Sequence, residues 1–292
     1  MVKRRSGAGR SVRDGRSSDG AFRARYGPAA LVTGAAQGIG RAFADALAAR
    51  GLDVYLLDVQ PEAVARAAAE VAERFAVAAK PVVVDLSKRD CMTAIRAALP
   101  TDEVGLVVCN AALGQEGAFL DADLDSLHRA IDVACHATVS LLHGFGREMA
   151  ARGRGGLVVL ASGTALQGSP RYANYGATKA FNLVLGESLW YELRDHGVDV
   201  LAFVPGPTNT PGLRSTVPGL KEGVAVGPIR LPDETAEAAV RALGRAASAS
   251  REKDLAARLA VRRRRADGNA ARDWKSEARP NGRTKGTKGE GR

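Results

Sequence analysis

The stretch Ala29-Ala30-Leu31-Val32-Thr33-Gly34-Ala35-Ala36-Gln37-Gly38-Ile39-Gly40 decides the fold. A short apolar run ends in three glycines and passes into an alanine-rich helical pattern, which reads as a strand turning into a helix. Such a turn brings the backbone close to a bound diphosphate, and the helix start offers unpaired N–H donors and a partial positive charge. Gly34 is expected to make the turn, Gly38 to allow the close approach and Gly40 to let the helix pack tightly. The spacing is Gly-x3-Gly-x-Gly, which differs from the general dinucleotide fingerprint. Taken alone, it reads equally as a nucleotide loop or as a plain turn.

Working outward from that turn, Arg41–Arg50 has helical apolar spacing (Phe43, Ala46, Leu47) and stops at Gly51. The next strand, Val54-Tyr55-Leu56-Leu57, ends in Asp58, about 20 residues beyond the glycines. A carboxylate there can accept hydrogen bonds from the adenosine ribose and repels a 2′-phosphate. With Gln37 rather than a basic residue in the loop, this favours NAD, with NADP as the alternate; the plain reading of Asp58 is a polar residue at a strand end. Helix Glu62–Phe75, strand Pro81–Val84 with Asp85-Leu86, helix Lys88–Leu99 and strand Gly105–Cys109 with Asn110-Ala111-Ala112 follow in regular alternation. Continuous apolar strands separated by helices predict an α/β fold: a single Rossmann-type, doubly wound parallel sheet with helices on both faces. Ligands of such sheets lie across the carboxyl ends of the strands, where Asp58, Asp85 and Asn110 all fall.

A long helix is expected over Leu124–Arg152, then strand Gly156–Leu160 with Ser162, a helix from Tyr175 to about His196, strand Asp199–Val204 and the segment Pro205-Gly206-Pro207-Thr208. Tyr175 and Lys179 are four apart and share a helix face, an arrangement that also arises by chance on any helix. A neighbouring ammonium favours the phenolate, so the pair is expected to lower the Tyr175 pKa from its ordinary value near ~10 and suit it to proton transfer.

The hydrophobic share of 46% and charged share of 25% are those of an ordinary globular protein. With no apolar run approaching ~18 residues and no apolar signal core, the expected location is the cytoplasm. Cys91, Cys109 and Cys135 lack ligand or redox spacing and read as buried reduced thiols; no metal is indicated. The net charge of +10 belongs to the ends: residues 1–25 carry eight Lys/Arg against two Asp, residues 262–292 eleven against four acids, and the body between is slightly acidic. Three parts are therefore expected: a basic disordered extension over 1–25, a catalytic domain over 26–245 and a second basic disordered extension over 246–292. The run Arg262–Arg265 has the charge to touch nucleic acid or anionic membrane, but without interleaved aromatics a solvated tail is favoured.

Together these residues resemble the classical short-chain dehydrogenase/reductase family from about Tyr26 to Pro211. The family's TGxxxGxG motif stands as Thr33–Gly40, its NAG as Asn110-Ala111-Ala112, its Ser as Ser162 and its YxxxK as Tyr175–Lys179. Its PG segment stands as Pro205-Gly206, followed by Thr208 and Thr210. The resemblance implies NAD(P)-dependent interconversion of an alcohol and a ketone or aldehyde. It gives Tyr175 the role of general acid/base, Ser162 a hydrogen bond to the substrate oxygen, and Lys179 the nicotinamide ribose together with the tyrosine's pKa. Thr33, Gly34, Gln37, Gly38, Ile39, Gly40, Asp58, Asp85, Leu86, Asn110, Ala111, Pro205, Gly206 and Thr208 are the expected cofactor contacts, with Asp85 at the adenine and Thr208 at the carboxamide.

Three positions depart from the family pattern. The Asn of the proton relay falls, 24 residues after Asn110, on Ala134, so the alternative is a nucleotide-binding protein with weak or no catalysis. Ala112 replaces the Gly of NAG. After the helix Asp233–Leu243 no β-branched run supplies a seventh strand, which is therefore expected to be missing or replaced by a poorly ordered extension. The lid region Pro211–Leu231, rich in Leu, Val, Gly and Pro, favours an apolar or bulky substrate; Tyr26-Gly27-Pro28 and Trp190–Leu193 are most like members acting on acyl or steroid-like ketones. The resemblance also implies a homodimer or homotetramer through the two long helices.

Overall fold

The computed structural model describes residues 12–99 and 103–270. Seven strands, β1 (Ala29–Thr33), β2 (Asp53–Asp58), β3 (Ala79–Val83), β4 (Val104–Cys109), β5 (Gly155–Leu160), β6 (Val198–Phe203) and β7 (Ser248–Ala249), form one parallel sheet in the order β3-β2-β1-β4-β5-β6-β7. The helices are α1 (Val12–Tyr26), α2 (Gly38–Ala48), α3 (Pro61–Phe75), α4 (Cys91–Ala98), α5 (Leu124–Ile131), α6 (Ala137–Arg152), α7 (Ala173–Leu193), α8 (Pro211–Arg214), α9 (Pro232–Ala242) and α10 (Lys253–Ala270).

Every residue of β1, β4 and β5 is buried, as strands covered on both faces require. Alternate side chains serve two cores. Ala30 and Val32 pack with Phe43, Leu47, Val64, Val71 and Val240 on one face, while Ala29 and Leu31 pack with Ile95, Leu141, Phe145 and Met149 on the other. The strand order reverses between β1 and β4, which opens a crevice at their carboxyl ends.

Three differences from the sequence reading concern places where tertiary contacts override local pattern. The expected single helix over Leu124–Arg152 is interrupted: α5 and α6 are joined by a π-turn, Asp132–His136, centred on Ala134. Asp132 accepts from His136 Nδ1 across this turn at 2.5 Å and faces Arg89 at 3.4 Å.

The seventh strand exists, though only two residues long. Ala202 N donates to Ala247 O and Val204 N to Ala249 O, so backbone pairing supplies what side-chain propensity did not. Ser248 Oγ adds a bond to Glu187 Oε1 at 2.7 Å.

The described parts of the two basic ends are helical. Phe22 and Tyr26 of α1 pack on the first core, and the Tyr26 hydroxyl donates to Asp199 Oδ2. At the other end α10 lays Leu259, fully buried, among Ala161, Leu183, Ala202 and Val204. Arg262 pairs with Glu187 at 2.9 Å and Arg263 donates to Ser248 O, so two members of the basic run contact the slightly acidic body. The remaining parts of the two expected extensions, 1–11 and 271–292, lie outside the described residues. Among the described residues no helix is long and apolar enough to cross a membrane.

Candidate active site

A cleft of about 390 Å3 occupies the crevice at the carboxyl ends of the strands. Its first wall is the glycine turn. Gly34 and Gly38 adopt φ of +65° and +60°, which a side chain resists, and a Cβ on Gly38 would press on Thr210 Cγ2 at 3.2 Å. Gly40 has a different reason to be glycine: a Cβ there would stand 2.1 Å from Gly34 O and 2.6 Å from Asn110 Nδ2, so its absence keeps the turn folded on itself. Gln37 stands at the N-cap position of α2 without a side-chain capping bond, and Gln37, Gly38 and Ile39 present the start of that helix to the cleft.

Thr33 and Asn110 lock the turn to the end of β4. Thr33 Oγ1 accepts from Asn110 N and Ala111 N, each at 3.0 Å, and donates to Val108 O. Asn110 Nδ2 donates to Thr33 O and Gly34 O at 2.9 and 3.3 Å. Thr33 is thus buried behind the wall and not on it, as is Gly40, while Asn110, Ala111, Ala112 and Leu113 face the cleft.

Asp58 closes the far end. Its Oδ2 accepts from Ala36 N at 3.1 Å and its Oδ1 from Gln60 N at 3.2 Å, which fixes the carboxylate at the cleft wall with only 7% exposure. Arg41, the cation nearest in sequence to the glycines, is committed to Asp45 and Glu70 at 2.9 and 2.7 Å. Asp85 and Leu86 also line the cleft. Burial acts to raise the Asp85 carboxyl, but hydrogen bonds from the Ser87 hydroxyl and amide, with the charges of Arg129 and Lys88, hold it below its ordinary value. Arg129 of α5, which the sequence reading missed, stands 3.6 Å from Asp85 Oδ2 and forms part of the cleft wall.

Tyr175 and Lys179 enter from one face of α7, and both line the cleft. Lys179 Nζ donates to Leu160 O at 2.9 Å, and burial pushes its ammonium down to about 8. The expected lowering of the tyrosine is corrected here: burial raises the Tyr175 pKa, and a hydrogen bond with Ser162 pulls the other way. Lys179 Nζ lies 5.7 Å from the tyrosine ring centroid, and an amine depressed to about 8 carries little charge where a phenol titrates. Ser162 caps the 3-10 turn Gly163–Leu166 by accepting from Thr164 N at 3.3 Å, beside the cleft walls Leu160 and Ala161.

The Pro205–Thr208 segment divides. Pro205 faces the cleft, whereas Thr208 is turned away: 6% exposed, it donates to Gly206 O at 3.0 Å and meets Thr235 Oγ1 at 3.1 Å. Gly206 is likewise off the wall, pressed against Glu252. Thr210 stands in the cleft with Pro211 and Gly212. A Thr immediately before a Pro is a helix-start signal, and Thr210 does cap α8 by accepting from Leu213 N.

These residues fit a nicotinamide dinucleotide. A glycine cradle at a helix start suits the diphosphate, a fixed carboxylate at the end of β2 suits ribose hydroxyls, and the Tyr175–Lys179 face lies at the other end.

Comparisons with known proteins agree with this geometry. Residues 28–221 match the family model for short chain dehydrogenase. A 7beta-hydroxysteroid dehydrogenase of Collinsella aerofaciens is 33% identical over 225 residues, 77% of this chain and 86% of that protein. A short-chain dehydrogenase from Sphingobium yanoikuyae in complex with NADPH superposes with a TM-score of 0.73 at 26% identity, covering 87% of this chain and 99% of the other. An inactive hydroxysteroid dehydrogenase-like protein 1 of Homo sapiens is 31% identical over 184 residues, 62% of this chain and 56% of that protein. The chain belongs to the short-chain dehydrogenase family.

Proposed function

We propose that the protein interconverts a secondary alcohol and a ketone or aldehyde with a nicotinamide cofactor, Tyr175 acting as the general acid/base. The observation that carries this reading is Tyr175 and Lys179 on the wall of the same cleft as the glycine turn, with Ser162 hydrogen-bonded to Tyr175 beside that wall. The reduced cofactor, when bound, supplies a hydride to the carbonyl carbon. The chain's own part is to hold the carbonyl oxygen between the Ser162 and Tyr175 hydroxyls and to transfer the Tyr175 proton to that oxygen as its charge grows. Lys179 anchors the nicotinamide ribose, and Thr210, in place of Thr208, is the residue offered to the carboxamide. NAD is the preferred cofactor in this reading. The fixed Asp58 carboxylate and the commitment of Arg41 to two acids leave a 2′-phosphate repelled and unpaired at that end.

The substrate is apolar and bulky: Leu113 on the cleft wall and the Leu- and Val-bearing lid support this, as does the hydroxysteroid activity in the name of the Collinsella relative. Exposed Val139 on α6 and Phe181 and Val184 on α7 support a homodimer or homotetramer joined along these helices. A cytoplasmic location belongs to the same reading.

A second reading, a nucleotide-binding protein with weak or no catalysis, is favoured by one observation. Ala134 lies in the π-turn of α5–α6, 1% exposed, and offers no polar side chain to a proton relay. Titration of the purified protein with NADH and NADPH, followed by a ketone panel, separates the readings. NADH binding with turnover supports the enzyme; binding without turnover, unchanged in Ala134→Asn, supports the second reading; no binding of either nucleotide defeats both.

A further inference from the structure

The turn of helix that presents Tyr175 is weakly written in its own residues. It is the first turn of α7, and the N-cap residue Tyr172 makes no side-chain capping bond to its amides. Arg171, just before it, sits at φ +68°, a conformation that a residue with a Cβ resists. Gly176, just after Tyr175, is a poor helix former. Packing does not demand it, because a Cβ there would make only ordinary contact with Thr164 O at 3.4 Å. Local propensity therefore does not fix the direction in which the phenol leaves the helix.

Asn174 supplies what this turn lacks. Its Nδ2 donates to Gln115 Oε1 at 2.8 Å and to Leu127 O at 3.1 Å. Gln115 is itself held, with Nε2 donating to Ser126 O at 2.8 Å and to Ser126 Oγ at 3.2 Å. Ser126 N in turn donates to Asp123 Oδ2 at 2.8 Å, the cap of α5. The start of α7 is thus tied to the loop after β4 and to α5. Gly117 N adds a bond to Arg171 O at 2.9 Å, while the exposed pair Arg171–Glu116 at 3.3 Å contributes little.

Donor count explains why residue 174 is an asparagine. Leu127 O can only accept, so the amide must turn its NH2 group that way, and the second N–H then meets Gln115. An aspartate of the same shape would set a carboxylate oxygen against that carbonyl. Neighbours on a helix point about 100° apart, so Asn174 reaches α5 while Tyr175 reaches the cleft. Gln115, Ser126, Leu127 and Asn174 are absent from the cleft wall and border a separate hollow of about 250 Å3. Their route to the reacting atoms is the backbone of the Tyr175 turn.

We infer that Asn174 is a positioning residue, which with Gln115 ties the first turn of α7 to α5 and so holds the Tyr175 hydroxyl in line for proton transfer. This inference rests on the oxidoreductase reading for its chemical consequence and on the fold alone for its mechanical part.

The test uses the full chain with Asn174→Asp, Asn174→Ala and, as the milder change, Gln115→Ala, which removes one of the two acceptors. Each is made in the parent and in Tyr175→Phe. NADH affinity and stoichiometry are measured by titration, kcat and KM with one ketone, and hydrogen exchange at the amides of Gly176 and Ala177. In both Asn174 variants kcat is expected to fall about tenfold or more, as misplacement of a reacting group does, and in Gln115→Ala about threefold. KM, NADH affinity and stoichiometry are expected to stay within about twofold, and both amides to exchange faster. In the Tyr175→Phe background the same changes should alter the residual rate by less than about twofold, because residues that act as one unit are not additive. Full additivity there, a kcat retained in Asn174→Asp, or NADH binding lost along with kcat overturns the inference. If the parent turns over no ketone, the oxidoreductase reading fails on its own. Exchange then decides the mechanical part, with unaltered rates at Gly176 and Ala177 in all three variants overturning it.

Discussion

The two halves of the cleft are built by different means. The half below β1–β3 is made chiefly of backbone: glycines at positive φ, the first amides of α2, and an Asp58 carboxylate held by two main-chain N–H groups. The half below β5–β6 is made of side chains brought from segments far apart in sequence, with Tyr175, Lys179 and Thr210 on the cleft wall and Ser162 hydrogen-bonded to Tyr175 beside it. A site made of backbone must be written locally, because only particular residues permit its φ and its close approaches. A site made of side chains is written wherever the fold delivers them.

The comparison is broken most forcefully at Tyr175. Tyr175→Phe removes the proton donor while leaving the glycine half untouched, so turnover is expected to fall by about 10^2 to 10^4 with NADH affinity unchanged within about twofold. Steady-state rates and nucleotide titration on the same sample check both numbers. Loss of NADH binding along with activity would show that the two halves are not separable.

Asp58 tests the opposite half. Asp58→Asn keeps a carbonyl oxygen for one main-chain N–H but removes the charge. At the few kcal/mol expected of two charges about 4 Å apart near a surface, the NADPH-to-NADH affinity ratio should rise roughly ten- to a hundredfold. An unchanged ratio would mean that the 2′-phosphate lies away from Asp58 and would remove the basis for NAD preference.

Much of the first half was legible in the sequence for the reason just given. The three glycines, the strand-end acid and the NAG-like segment are local signals, and the structure finds each at the carboxyl end of its strand. Thr33 and Gly40 were legible as motif members, and Gly40 also as a packing position, but neither is a cofactor contact. They stand behind the wall, because a motif records what holds a turn together as well as what touches a ligand. The second half was less legible. Thr208 and Thr210 are two residues apart in one loop, and only the packing of Thr208 against Thr235 decides which faces the cleft. β7 carries no propensity signal because two backbone pairings and the cover of α10 suffice to hold it. The π-turn at Ala134 has no apolar period to betray it, since it shifts the helix face without changing composition.

Lys179 sharpens the comparison through pH. Its folded pKa of about 8 lies below the ordinary value of 10.5, so between those limits the unfolded chain binds a proton that the native state has already lost. The penalty of a buried ammonium is fully present below about pH 8, and stability rises as pH climbs from about 8 to 10.5, by up to about 1.4 kcal/mol per unit. Tyr175, with its pKa raised, pulls the opposite way only above its ordinary range near ~10. Urea midpoints at two pH values, one on each side of 8.5, should show a gain in the parent that is lost in Lys179→Met. A gain retained by the variant would assign the pH dependence to other groups.

The smallest expected effect discriminates most finely, since it pits two threonines of one loop against each other. Thr210→Val leaves a residue of similar volume on the cleft wall but removes the hydroxyl that caps α8. Losing one hydrogen bond to the carboxamide is worth about 1 kcal/mol, so NADH affinity should weaken roughly fivefold. Thr208→Val removes the hydrogen bonds to Gly206 O and Thr235 Oγ1; the Gly206 carbonyl loses this donor, while Thr235 Oγ1 keeps its bond to Leu231 O. Its expected signature is reversed: a stability loss of about 1–3 kcal/mol in urea with NADH affinity unaltered, because nothing on that side chain reaches the cleft. Should Thr208→Val weaken NADH more than Thr210→Val does, the loop must rearrange on binding. The side-chain half of the site would then be completed by its ligand, whereas the glycine half is set before the ligand arrives.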